Sequence, residues 1–136
     1  MTVTESQDIF IPALCIWREM RGESEEARLG CYWVIQHRVH DMFNRWPKTP
    51  YGVVTQAMQF SSFNRTDPNS SLLPKKIIEA DWQAWEEISS MCDRPGPDPV
   101  NGANAYESMP DGEPRPAWAA QSRMIRQIGK TRFYKL

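Results

Sequence analysis

The sequence lacks the features that mark several common classes of protein. It has no run of about 18 apolar residues and no basic segment followed by an apolar one at its start, so we expect neither a membrane-spanning helix nor a signal peptide. Its three cysteines form no C-x-x-C pair, and no close group of Cys and His predicts a zinc site. We therefore expect synthesis in the cytoplasm, reduced and mostly buried thiols, no metal and no cofactor.

An excess of charge of one sign is also missing. The 16 basic and 17 acidic residues leave a formal net charge of -1, which provides no electrostatic reason to bind nucleic acid. There is no internal repeat and no low-complexity tract. With 136 residues, 40% of them hydrophobic, the chain has the size and composition of one globular domain over residues 1–136, expected to be a monomer.

The spacing of the apolar residues predicts a mainly α-helical fold, α+β at most. Apolar side chains recur at three- and four-residue steps in several segments, and Ser24 has the position and side chain of a helix N-cap. The predicted helices are Asp8–Met20, Ser24 to about Phe43, Thr49–Met58, Lys75–Cys92 and Trp118–Ile128. Trp82 and Trp85 share one helical face and are expected in the core.

Two long segments carry turn signals in place of helical periodicity. Gln59–Pro74 is polar, and Asp93–Pro116 holds more than half of the eleven prolines. Both segments are therefore predicted to be long irregular loops at the surface.

Glu19 is the residue best placed to carry chemistry. It is predicted to lie within a turn of the C-terminal end of the first helix, where the negative end of the helix dipole disfavours a carboxylate ion. A glutamate that holds a proton can act as a general acid toward a glycosidic oxygen. Spacing alone leaves an alternative, in which Glu19 is a solvated side chain that pairs with Arg18 or Arg21.

The segment around Glu19 resembles a family signature. Ala13–Glu23, read A-L-C-I-W-R-E-M-R-G-E, is similar to the A-x-x-(I/V)-(Y/W)-x-E-A-R-G-E of the SleB/CwlJ-type cell wall hydrolases. Three further segments follow in the family's order: Gln59-Phe60-Ser61 resembles Q-F-S, Asp98–Ala103 resembles D-P-x-x-G-A, and Ile128–Tyr134 resembles I-G-x-H-x-F-Y. An ordered set of motifs is much more specific than any one of them.

Four positions depart from the family pattern. Family members carry Asn where His37 stands, His where Ala105 and Thr131 stand, and usually Ala where Met20 stands. Any role of the family's histidines is therefore not transferred to this chain. The departures leave Glu19 itself unchanged.

The resemblance implies a fold and a reaction. The fold is a lysozyme-like single domain in which helices and the two long loops form a cleft over Glu19. The reaction is that of a lytic transglycosylase, which cuts peptidoglycan between N-acetylmuramic acid and N-acetylglucosamine and leaves a 1,6-anhydromuramyl end. One carboxyl group is enough because the attacking hydroxyl belongs to the substrate.

A glycan groove also needs amide, hydroxyl and aromatic side chains that bind sugar rings. The candidate substrate-binding residues are Glu23, Gln59, Ser61, Asn104, Tyr106 and Tyr134. Tyr134 could equally be a packing residue.

Simple hydrolysis is a second possible reaction, and a muramidase of that kind needs a second carboxylate. The candidates are Glu23, Asp67 and Asp98. Glu23 could instead serve the dipole of the next helix, and Asp98, which precedes a proline, could instead start a turn. Two functions without catalysis also stay open, those of a glycan-binding module and of a helical interaction protein of a virion.

A wall-cutting enzyme without an export signal must reach the wall by another route. Release through a phage holin is one such route, which leads to the hypothesis that the chain is a phage endolysin.

Overall fold

The computed structural model describes residues 2–56, 79–108, 118–120 and 123–136. Helices occupy the N-terminal part of the chain and a small antiparallel sheet the C-terminal part. In chain order the elements are α1 (Val3–Met20), α2 (Glu25–Val39), α3 (Pro50–Thr55), α4 (Glu79–Asp93), β1 (Ala105–Glu107), β2 (Met124–Ile128) and β3 (Thr131–Tyr134).

The first two helices meet at a short junction. α1 begins five residues before the predicted start because Thr2 and Glu5 form a capping box, in which each side chain accepts a hydrogen bond from the other residue's backbone N–H. α2 begins as predicted after Ser24, whose side chain accepts from the N–H of Ala27. It ends at Val39, four residues before the predicted Phe43.

The next two helices lie in the segments predicted for them, but α3 is shorter than predicted. α3 begins after Thr49, whose hydroxyl accepts from the N–H of Gly52, and Pro50 opens its first turn. α3 ends at Thr55 with Gln56 as its C-cap, three residues before the predicted Met58. The predicted start of α4 at Lys75 lies outside the described residues.

The helix predicted over Trp118–Ile128 is wrong. Residues Met124–Ile128 form β2, which pairs antiparallel with β3 across a tight turn at Gly129, where φ is +59°. β3 also pairs with β1, so the strand order is β1-β3-β2. A left-handed glycine followed by Thr, Phe and Tyr favours a hairpin, and the hydrogen bonds to β3 outweigh the weak helical pattern.

The sheet packs on the helices through one very close contact. A Cβ atom on Gly30 of α2 would lie 2.7 Å from the ring of Phe133 on β3, so only glycine leaves room for that ring. The main core combines α1, α2, α4 and the sheet, with Ile16, Trp17, Met20, Val34, Ile88 and Phe133 among its buried members. The prediction of a mainly helical, α+β fold is confirmed.

Two predictions about the core have different outcomes. All three cysteines are buried free thiols, as expected, and burial raises the pKa of Cys92 to about 12. Trp85 packs partly buried against the core, but the prediction for Trp82 is wrong. The side chain of Trp82 is 42% exposed, and its indole N–H donates to Glu86 one turn later on α4.

In the described part of the chain, no helix combines the length and apolar character needed to cross a membrane.

Candidate active site

Glu19 lies in the last turn of α1, next to the junction with α2, and its side chain is partly exposed. Its Oε2 atom accepts a hydrogen bond of 2.7 Å from the hydroxyl of Tyr106 on β1. The fold thus brings together two residues that the sequence predicts for the same site but that are 87 positions apart in the chain.

Tyr106 is positioned for this bond by the sheet. It lies opposite Phe133 in the β1–β3 pair, and the two rings are 6.2 Å apart on the face that packs against the helices. Burial raises the pKa of Tyr106 well above its usual range, and the neighbouring Cys31, Glu19 and Cys15 act in the same direction. The hydroxyl therefore keeps its proton and donates it to the hydrogen bond with Glu19.

Two hydroxyl groups lie further along the same face of the sheet. The hydroxyl of Ser108 lies 3.0 Å from that of Thr131, which also contacts the sulfur of Met20 at 4.0 Å. The sequence-based set of site residues did not include Ser108. The signal was its position two residues after Tyr106, since alternate residues of a strand point to the same face.

Glu23 lies at the same junction as Glu19. Its backbone N–H donates to the carbonyl of Met20, and its carboxylate is 3.7 Å from where a Cβ of Gly129 would be. Glu23 is therefore next to the turn between β2 and β3, and its assignment to substrate binding stays a prediction.

Asn104 and Tyr134 have structural partners. The buried Asn104 side chain exchanges two hydrogen bonds with the backbone of Leu136, at 2.8 and 3.3 Å. The fully buried Tyr134 donates to Glu107 at 2.6 Å on the sheet face opposite Tyr106. For Tyr134 the structure favours the packing role over the substrate-binding one, and Asn104 tethers the C-terminal end of the chain.

Asp98 shapes the loop before β1. It accepts hydrogen bonds of 2.8 Å from the N–H groups of Val100 and Gly102, and it pairs with His37 at 2.7 Å. Burial acts to raise the pKa of Asp98, but these hydrogen bonds outweigh it and the pKa is lowered. This environment supports the turn-forming role that the sequence left open for Asp98.

The remaining predicted site residues, Gln59, Ser61 and Asp67, lie outside the described residues. An ion pair of 3.4 Å between the buried Glu107 and the partly buried Arg132 was missed, because neither residue was predicted to lie in a strand. Within the described ranges, no three Cys, His, Asp or Glu side chains group together as ligands for a metal ion.

The family described as Cell Wall Hydrolase matches residues 22–134, a range that begins just after Glu19. No curated protein matches the chain.

Two solved structures are similar over nearly the whole chain. The catalytic domain of the Bacillus cereus SleB protein is 25% identical, with a TM-score of 0.67, and the match covers 96% of this chain and 91% of that one. The catalytic domain of the germination-specific lytic transglycosylase SleB from Bacillus anthracis is 26% identical, with a TM-score of 0.68 and 99% of each chain covered. The similarity to these two catalytic domains, together with the family match over residues 22–134, shows that the chain belongs to the cell wall hydrolase family.

Proposed function

We propose that this protein cuts the glycan strand of peptidoglycan between N-acetylmuramic acid and N-acetylglucosamine, as a lytic transglycosylase with Glu19 as its catalytic residue. The observation that carries the proposal is the hydrogen bond between Tyr106 and the partly exposed Glu19 at the junction of α1 and α2. Of the two similar structures, the one from Bacillus anthracis is named as a lytic transglycosylase, which points to the same reaction class.

In the first step, the carboxyl group of Glu19 protonates the glycosidic oxygen as the bond to the muramyl C1 breaks. Positive charge then develops at C1 in an oxocarbenium-like transition state. In the second step, the carboxylate takes the proton of the muramyl 6-hydroxyl, whose oxygen attacks C1. Glu19 thus gives one proton and recovers one, no water is consumed, and the product has a 1,6-anhydro ring.

Tyr106 acts in this scheme as a positioning residue. Its hydroxyl holds Oε2 of Glu19 at 2.7 Å and so restricts the rotation of the carboxyl group. Orientation of this kind lowers the reaction barrier, because the carboxyl group is already aligned for proton transfer when the substrate binds.

Transglycosylation is favoured over hydrolysis by what surrounds the remaining carboxylates. Asp98 is bound by its own loop and by His37, and Glu107 lies on the opposite face of the sheet. Glu23 is the remaining described candidate at the junction. A hydrolytic muramidase that uses Glu23 is therefore the alternative.

The proposal also includes the substrate and the setting of the reaction. The partner is the glycan strand, and the chain acts on the cell wall as one catalytic domain and a monomer. Release through a holin, as for a phage endolysin, belongs to the same proposal.

The test is the release of soluble fragments from purified cell walls. We expect Glu19→Gln to reduce the rate by about 10²-fold or more, since general acid–base catalysis contributes roughly that much. Glu25→Gln, a change to an exposed carboxylate in the first turn of α2, is the matched control and should retain the wild-type rate.

Mass spectrometry of the fragments then separates the two reactions. An anhydromuramyl end lacks one water relative to the reducing end that a muramidase leaves. Full activity of Glu19→Gln would overturn the proposal, and binding to walls without any soluble product would favour a glycan-binding module instead.

A further inference from the structure

Arg28 of α2 lies across the end of α1. Its Nε donates to the carbonyl of Met20 at 3.3 Å, and its Nη2 donates to the carbonyl of Arg21 at 2.6 Å. Its Nη1 makes an ion pair of 3.0 Å with Glu87 of α4. One guanidinium group, only 9% exposed as a residue, therefore connects three helices.

These contacts provide hydrogen-bond donors to backbone carbonyls at the C-terminal end of α1. The last carbonyls of a helix have no intrahelical partner, and they carry the negative end of the helix dipole. The carbonyl of Met20 also accepts from the backbone N–H of Glu23 at 3.0 Å, so Arg28 adds a second hydrogen bond there. Arg21 donates to the carbonyls of Trp17 and Arg18, one turn earlier, so it does not replace Arg28 at Met20 and Arg21. Arginine has donors on three separate nitrogens in a planar fork, which can reach two carbonyls and a carboxylate in different directions, whereas all donors of lysine lie on one nitrogen.

Glu19 lies in the turn that Arg28 holds. It immediately precedes Met20, the last residue of α1, and its carboxylate must meet a hydroxyl that is carried by the sheet. If the last turn of α1 frays, the backbone of Glu19 moves while Tyr106 stays in place.

We infer that Arg28 is a positioning residue for Glu19, which acts by fixing the final turn of α1 against α2 and α4. The inference rests on the proposed function of Glu19. Arg28 touches neither the carboxylate nor the substrate in this scheme, and its effect passes through the two backbone carbonyls.

The experiment compares Arg28→Met, Arg28→Lys and Arg126→Met with the wild type and Glu19→Gln. Methionine keeps much of the length and apolar packing of arginine but has no donor. Arg126→Met is the matched control, because Arg126 also connects separate elements, by bonds to Glu26 and to the carbonyl of Pro99, but makes neither of these bonds to α1.

For Arg28→Met we expect a fall in kcat of about 10- to 100-fold with little change in KM, since a displacement of about 1 Å can cost about 10²-fold. Arg28→Lys should recover part of the loss, because it keeps the charge and one donor group. Arg126→Met should keep the wild-type kcat. All rates are measured below the unfolding temperature of each variant.

Hydrogen exchange supplies a readout that does not depend on activity. The backbone amides of residues 17–20 should exchange faster in Arg28→Met than in the wild type, and at the wild-type rate in Arg126→Met. Unchanged exchange, or a kcat equal to that of the wild type, would overturn the inference. A wild-type protein that releases nothing from walls would contradict the proposed function instead, and the exchange data would still decide whether Arg28 holds the helix end.

Discussion

Two tyrosine–glutamate pairs lie on opposite faces of the small sheet. Tyr106 donates to Glu19 at 2.7 Å on the helix-facing side, and Tyr134 donates to Glu107 at 2.6 Å on the other side. The hydrogen bonds are nearly the same, but Glu19 is partly exposed at a helix end, whereas Glu107 is 6% exposed beside Arg132. A catalytic acid needs access to its substrate, so the surroundings and not the hydrogen bond distinguish the two pairs.

The alternation of side chains along β1 produces the difference. Tyr106 and Glu107 are neighbours in the chain, yet they point to opposite faces, as their partners Phe133 and Arg132 on β3 do. One face meets the helices and the other meets the segment around Trp118 and Ala119. The same short strand thus contributes to a candidate active site and to a structural ion pair.

The largest effect on stability should come from the structural pair. Arg132→Met leaves the carboxylate of Glu107 buried without this guanidinium, which we expect to lower the free energy of unfolding by about 3 to 5 kcal/mol. Urea unfolding measures the change, and the wall-cutting rate per folded molecule should stay constant. A lower rate at unchanged stability would contradict this prediction, because it would place the Glu107 face of the sheet in the active site.

The same substitution in the two tyrosines should have different effects on rate and stability. Tyr106→Phe removes the hydrogen bond to Glu19, and we expect the wall-cutting rate to fall about tenfold, because the carboxyl group is no longer held in its orientation. Tyr134→Phe should leave the rate unchanged and instead reduce the free energy of unfolding by about 1.5 to 3 kcal/mol, the contribution of a hydrogen bond to a charged group. If Tyr134→Phe lowered the rate at unchanged stability, Tyr134 would bind substrate and its packing role would be wrong.

The smallest effect on stability is expected for a change of Asp98, in the loop that leads into β1. The lowered pKa of Asp98 means that its carboxylate adds stability above its unfolded-state pKa of about 3.9, and that this stability is lost as the pH falls through the lower pKa of the folded state. Asp98→Asn cannot titrate. We therefore expect its Tm to lie below that of the wild type near neutral pH and the difference to shrink below about pH 4.

Thermal unfolding over a pH series checks this prediction. His40→Asn, a change at an exposed residue that ends α2, serves as the control for the loss of a titratable group. A Tm difference for Asp98→Asn that does not depend on pH would show that the carboxylate contributes through shape alone.

Local sequence signals predicted where α2 and α3 begin. Ser24 and Thr49 each supply a side-chain oxygen to the N–H groups of the turn that follows, and such caps act within a few residues of their own position. The capping box of Thr2 and Glu5 is also a local signal, and apolar spacing alone places the start of α1 too late because it ignores that box.

The sheet could not be predicted in the same way. Met124–Ile128 has apolar residues that suit either a helix or a strand, and its pairing with Thr131–Tyr134 decides between them. The pairing of β3 with β1 joins residues more than twenty positions apart. Non-local hydrogen bonds of this kind leave no trace in a short window of sequence.

The sequence by itself determined the helical framework, the near balance of charge that disfavours nucleic acid, and the position of Glu19 at the end of the first helix. The tertiary structure alone decided which side chains meet that glutamate. Tyr106 of β1 donates to Glu19, and Arg28 of α2 donates to a carbonyl at the end of its helix. Tyr134, predicted for the same site, donates to Glu107 on the opposite face of the sheet. The physical reason is that helix caps depend on neighbours in the chain, whereas the face that a strand residue presents depends on the register of its partner strand.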